Sequence, residues 1–237
     1  MEQYSMNHVL IAPFTLPQEE IQSKLLIKPG SHFEKSFREF LPKVKQVARP
    51  KALYRVSYID EIGHDTVTIE ETTFHSQALS KNLASIGRVF PFIATCGSEV
   101  DEFPIEQDDI LQQYWLNTIK LTLLEAAITH LHQTLQNSYK IEKLSAMNPG
   151  SGDESVWPIE EQSLLFSIFG GIQSTIQQAG VTLLPSYLMV PDISVSGILF
   201  PSDTNYYNCQ LCQREDCPGR QAHFDPELWD SMHADDQ

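Results

Sequence analysis

From Asp108 to Gln136 the chain reads DDILQQYWLNTIKLTLLEAAITHLHQTLQ, without a single Gly or Pro to interrupt it. Asp108 and Asp109 supply a cap for the free amides at a helix start and negative charge for the positive end of its dipole. The apolar residues Ile110, Leu111, Tyr114, Trp115, Ile119, Leu123, Leu124, Ala127, Leu131 and Leu135 cover more than one stripe. That pattern predicts one long central helix covered on most sides, around which the other elements must be built.

Those other elements are short. Pro17 followed by Gln18, Glu19 and Glu20, and then Ser31 before HFEKSFREFLPKVKQVA, predict two helices in the first fifty residues, which read as a packing arm. From Ala52 the pattern turns to β: ALYRVSYI, Thr66 to Glu70 and Thr72 to His75, the first two joined by a DEIGHD turn. A helical piece, SQALSKNLASIG, precedes RVFPFIATCG, a buried strand ending at Cys96 and Gly97. The loop from Ser145 to Pro158 leads into a helix over 159–169, ended or kinked by Gly170 and Gly171. Ser186 to Phe200 reads as a β-hairpin about a PDIS turn. The expected fold class is α+β, with a twisted, mainly antiparallel sheet, a long central helix and flanking helices. Three regions are expected: a helical arm over 1–50, an α+β body over 51–207 and a Cys-containing extension over 208–237.

Charge excludes some functions. Sixteen Lys and Arg against 31 Asp and Glu leave a formal charge of −15, so the surface lacks the cation cluster that nucleic acid or an anionic membrane requires. Glu2 stands where a secretory signal carries Lys or Arg, and Pro13 breaks the apolar run from Val9 to Phe14. No stretch approaches the roughly 20 apolar residues that a membrane-spanning helix needs. The expectation is a cytoplasmic protein whose four cysteines are reduced thiols or metal ligands.

The sharpest chemical motif is NCQLCQREDCPGR, with Cys209, Cys212 and Cys217 in the spacing C-x2-C-x4-C-P. Three thiols on a polar loop suit a thiolate-loving ion, zinc or an iron-sulfur cluster, and the Pro after the last Cys tilts the reading toward the cluster. Free surface thiols or a Cys209–Cys212 redox pair are the alternatives. Either metal group wants a fourth ligand, for which Cys96 and His223 are the candidates. Cys96 taken alone reads as a small buried hydrophobe. His130 and His132, two apart on the long helix, lie on different faces and cannot chelate one ion together. Glu125 sits in the apolar stretch LTLLEAAI, where an exposed seam is the simplest account of it.

One segment carries a family pattern. MVPDISVSGILFPSDTNYY, Met189 to Tyr207, resembles the reactivation (activation) domain of cobalamin-dependent methionine synthase, which has the form MxPxxSVSGxxFxxxxxxYY. The stretch before Tyr206 and Tyr207 is one residue shorter here. Glu125-Ala-Ala with His132 seven residues on, and Pro149-Gly150 before a helix, follow in the family's order; the resemblance spans about Ala52 to Tyr207. It implies a domain of that fold, which binds S-adenosylmethionine in a shallow groove. It also implies docking over the cobalamin of a partner, so that inactive cob(II)alamin is reduced by one electron and remethylated.

The groove residues implied are Glu125, Asn148, Pro149 and Gly150, with Ser194, Ser196 and Gly197 of the SVSG motif. The family loop RxxPGY reads AMNPGS here, so its Arg falls on Ala146 and its Tyr on Ser151. Loss of a bidentate Arg on the ligand's carboxylate costs on the order of 2 kcal/mol. With no room for a corrinoid module, the chain is expected to act as a stand-alone helper of a separate corrinoid protein, an accessory and not a complete methyltransferase. A non-redox scaffold subunit with structural zinc is the alternative.

Overall fold

The computed structural model describes residues 6–153, 155–203, 206–217 and 220–233. The arm opens with strand β1 (His8–Ile11) and continues in helices α1 (Gln18–Lys24) and α2 (His32–Val47). Strands β2 (Lys51–Tyr54), β3 (Ser57–Ile62), β4 (Thr66–Ile69) and β5 (Thr72–His75) follow, then α3 (Gln77–Leu83), β6 (Arg88–Thr95) and the short α4 (Ser98–Asp101). Helix α5 spans Ile110–Tyr139, and β7 is Leu144–Met147. A 3-10 turn over Ile159–Glu161 leads into α6 (Gln162–Ile168), α7 (Ile172–Ala179), β8 (Thr182–Leu183), β9 (Met189–Val190) and β10 (Ser194–Pro201). A second 3-10 turn, Asn208–Leu211, and α8 (Pro226–His233) are the last described elements.

Strand β6 is the axis of the main sheet, and its near-continuous apolar run is that of a strand covered on both faces. Strands β2 and then β3 pair along one edge of β6, and β10 pairs along the other. Strand β1 extends the sheet beyond β2, β7 extends it beyond β10, and β4 and β5 extend it beyond β3, every pairing antiparallel. The fold is α+β, a curled antiparallel sheet with one long helix and flanking helices, as the sequence predicts.

Alternation of side chains sends the two faces of the sheet to different partners. Ala52, Tyr54, Phe90, Phe92, Ala94 and Leu199 pack on Ala127, Leu131 and Leu135 of α5. Leu53 and Ile93 point the other way, onto Phe166, Phe169, Ala179 and Val181. The N-terminal half of α5 is covered instead by the arm, where Phe37, Phe40 and Val44 of α2 meet Trp115, Ile119 and Leu123. The Phe37 and Trp115 rings meet edge-on at 5.3 Å.

Four readings change. Helix α5 buries mainly one stripe, Trp115, Ile119, Leu123, Ala127, Leu131 and Leu135, and leaves Ile110, Tyr114 and Leu121 exposed, because the sheet and arm occupy only one side of it. The arm is not purely helical, since His8–Ile11 finds the free edge of β2. ALYRVSYI is two strands, not one. Ser186–Phe200 is not a hairpin: β9 pairs with β8, while both edges of β10 are taken by β6 and β7.

Candidate functional site

The SVSG motif and the NPG loop meet because β7 and β10 are neighbours. Register places Met147 opposite Ile198, so the loop leaving β7 at Asn148 lies beside Ser196 and Gly197. Asn148 is locked there: its Nδ2 donates to Ser196 O at 2.8 Å and its Oδ1 accepts from Asn208 Nδ2 at 2.7 Å. Gly197 must be glycine for this contact, since a Cβ would stand 2.3 Å from Met147 O and 2.5 Å from Asn148 Nδ2. Gly150 is left-handed at φ +72°, and a Cβ on it would overlap Ile159. Its N–H donates to Trp157 O at 2.8 Å.

Glu161 braces the far end of this loop from inside. Its carboxylate accepts from the Trp157 indole at 2.9 Å and from the His75 backbone N–H at 2.8 Å, which ties the loop to the end of β5. Breaking so buried a carboxylate network costs more than losing an exposed bond, because the remaining polar groups are left without partners.

Between the NPG loop, the start of β10 and the segment 184–190 lies a cleft of about 510 Å³. Asn148, Pro149, Gly150, Ser151, Ser194 and Ser196 contribute to its lining, together with the apolar Leu184, Leu188, Met189 and Val190. Tyr187, itself left-handed at φ +61°, is held by a bond from Gln162 Nε2 to its carbonyl at 3.2 Å. Ser194 Oγ donates to Thr95 Oγ1 at 2.9 Å. Ser196 Oγ has no hydrogen-bond partner although the residue is only 3% exposed.

Asp192 stands at the rim. Lys120, reaching from the buried side of α5, contacts Asp101 at 2.5 Å and Asp192 at 3.6 Å. Burial works against the Lys120 ammonium, but the Asp101 hydrogen bond and the two nearby carboxylates outweigh it and hold its pKa above the ordinary lysine value.

Five of the residues that the family pattern implies, Asn148, Pro149, Gly150, Ser194 and Ser196, thus line one cleft. Gly197 lies beside it as a close-packing position. Glu125 lies elsewhere, in a separate groove on the outer side of α5 with Pro13, Phe14, Glu20 and His130. Ala146 packs on the α5 side of the sheet, one residue out of phase with Met147. Asp192, Gln162 and the 184–190 wall were not singled out from the sequence; Asp192 lies inside the quoted motif, but only the fold shows that it fronts a cleft.

The cysteines fall into two places. Cys96 is fully buried among arm and α5 residues, its thiol pushed up to about 12 by burial. Cys209, Cys212 and Cys217 lie partly buried in the extension, whose Leu211 is packed in another cluster, with Trp157 and Trp229 against it. The structure does not bring Cys96 to the other three. Their loop is wound about Arg220, which donates to the carbonyls of Cys209, Cys212, Arg214 and Ala222. Cys212 N donates to Cys209 O at 3.2 Å, Arg220 N to Cys217 O at 3.1 Å, and Gln221 N to Cys209 Sγ at 3.4 Å. His223 lines a hollow on the same loop with Glu215 and Arg220. Among the described residues, no three His, Cys, Asp or Glu side chains are grouped to hold a metal ion. No described helix is long and apolar enough to cross a membrane.

No family model matches the chain, and no curated protein matches it. Among solved structures it is similar to the MetH reactivation domain, in a crystal structure with AdoHcy bound, at a TM-score of 0.55 and 14% identity, over 85% of this chain and 80% of that one. The likeness covers a larger share of the chain than residues 52–207 make up, and at this identity what it shows is a common fold.

Proposed function

We propose that this chain is a reactivation module for a corrinoid protein: it takes an adenosyl-type ligand in the cleft, docks over a corrinoid carried by a partner, and supports reductive reactivation in methyl transfer. One observation carries the reading. A chain with the reactivation-domain fold also gathers Asn148, Pro149, Gly150, Ser194 and Ser196, separated in sequence, around one cleft. The neighbouring structure holds AdoHcy, and the cleft has the size and mixed polar and apolar walls of a small-molecule site. Reactivation consists of one electron passing to cob(II)alamin to give cob(I)alamin, which then takes a methyl group. The chain's part is to cover and orient, as an accessory to a methyltransferase.

The test is docking to a purified corrinoid protein, followed by the corrinoid spectrum during reduction in the presence of S-adenosylmethionine or, in parallel, its decarboxylated form as methyl donor. Complex formation with faster remethylation is expected; no complex, and no effect on the spectrum, would remove the reading.

The electron source is proposed to be an iron-sulfur cluster, which Cys209, Cys212 and Cys217 would hold with His223 of the same loop as the remaining candidate for a fourth ligand. The soft donor set supports it, and the loop would have to close around the group, because among the described residues these side chains are not grouped for a metal. Such a cluster supplies single electrons. Zinc at the same thiols would make the chain a non-redox scaffold, a reading favoured by the way Leu211 and Trp229 pack the extension onto the body. Iron and acid-labile sulfide on anaerobically purified protein, lost in Cys212→Ser, are expected. Zinc without sulfide selects the scaffold, and no metal removes both.

A further inference from the structure

The cleft has an electrostatic signature that separates it from a site for an amino-acid carboxylate. Among the described residues lining it there is no Lys, Arg or His, and its one charged side chain is Asp192. A carboxylate entering it would give up water for no cation and would approach a fixed negative charge. Ala146, where the family pattern has Arg, packs on the other face of the sheet.

Asp192 is not neutralised by its neighbour. Lys120 lies closer to Asp101, at 2.5 Å, than to Asp192, at 3.6 Å, and one ammonium against two carboxylates leaves a net charge of 1 − 2 = −1. The Asp192 side chain is 70% exposed, so its carboxylate is open to a ligand. Ser196 also lines the cleft, and its hydroxyl has no partner and is buried, the residue being only 3% exposed. A buried hydroxyl of this kind wants a ligand hydroxyl or ring nitrogen, to which it can donate or from which it can accept. The apolar lining of Leu184, Leu188, Met189 and Val190 suits a flat, weakly polar body.

We propose that the cleft selects a cationic adenosyl-type ligand that lacks a carboxylate, with Asp192 pairing the cation and Ser196 bonding the nucleoside portion. The inference rests on the adenosyl reading above and specifies its ligand class. Adenosine derivatives whose 5′ substituent is a sulfonium or an amine fit; amino-acid forms are disfavoured.

Isothermal titration of the full chain with decarboxylated S-adenosylmethionine, 5′-methylthioadenosine, S-adenosylmethionine and S-adenosylhomocysteine tests it. The decarboxylated cation should bind tightest and the two carboxylate-bearing compounds more weakly than 5′-methylthioadenosine. Asp192→Asn should weaken the decarboxylated cation by about fivefold, the scale of one exposed ion pair, and leave 5′-methylthioadenosine unchanged. Ser196→Ala should weaken both, with circular dichroism confirming that the variant is folded. S-adenosylhomocysteine binding as tightly as 5′-methylthioadenosine, or an Asp192→Asn variant that binds the cation undiminished, would overturn the selectivity and leave the adenosyl reading standing. Binding by none of the four would overturn the adenosyl reading itself.

Discussion

His132 shows how a single residue's surroundings become a property of the fold. It lies partly buried on α5, and burial alone lowers its pKa below 6.5. The unfolded chain therefore binds a proton here more readily than the folded one, so stability is full above about pH 6.5 and is lost as the pH falls through the lower folded value. Urea midpoints measured between about pH 8 and pH 5 should decline on the acid side, and His132→Gln should flatten that part of the decline. An unchanged slope in the variant would assign the decline to the carboxylates instead. Residue types were legible where the local chain sets their role. Ser31 caps α2, with its Oγ accepting from Glu34 N at 3.3 Å, as the sequence predicts. Gly197 was legible only as part of a pattern; that it must be bare to let Asn148 approach is a fact of two strands meeting.

Among the elements, α5 is shared by two packing layers. Helix α2 of the arm packs on its first half and the sheet on its second. Phe37→Ala, at a fully buried site against Trp115, should cost about 3–5 kcal/mol from lost transfer energy and the cavity left behind. Because α5 is continuous, the loss should shift one cooperative unfolding transition, read by both tryptophan fluorescence and far-ultraviolet circular dichroism. Two separated transitions would show that the arm melts on its own. The long helix was legible because nothing interrupts it. The assignment of Ser186–Phe200 to a hairpin failed for the opposite reason: short apolar runs give strand propensity without naming a partner, and β10 found two better edges than β9.

For the molecule as a whole, the sequence by itself determined what depends on neighbours along the chain. It determined the α+β class, the long helix, the β character of residues 52–75 and 88–95, the acidic balance and the close spacing of Cys209, Cys212 and Cys217. A family pattern carried it further, to the NPG loop and the SVSG strand, which the fold does bring to one cleft. Only the tertiary structure decided what depends on distance through space. It separated Glu125 from the cleft by placing it on the outer side of α5, and it buried Cys96 under the arm, away from the other thiols. It also set Asp192 at the rim with Lys120 turned mainly to Asp101. The physical reason is the same in each case. Capping, periodicity and turn chemistry act over a few residues, whereas a site is built where strand register and helix packing juxtapose segments tens of residues apart.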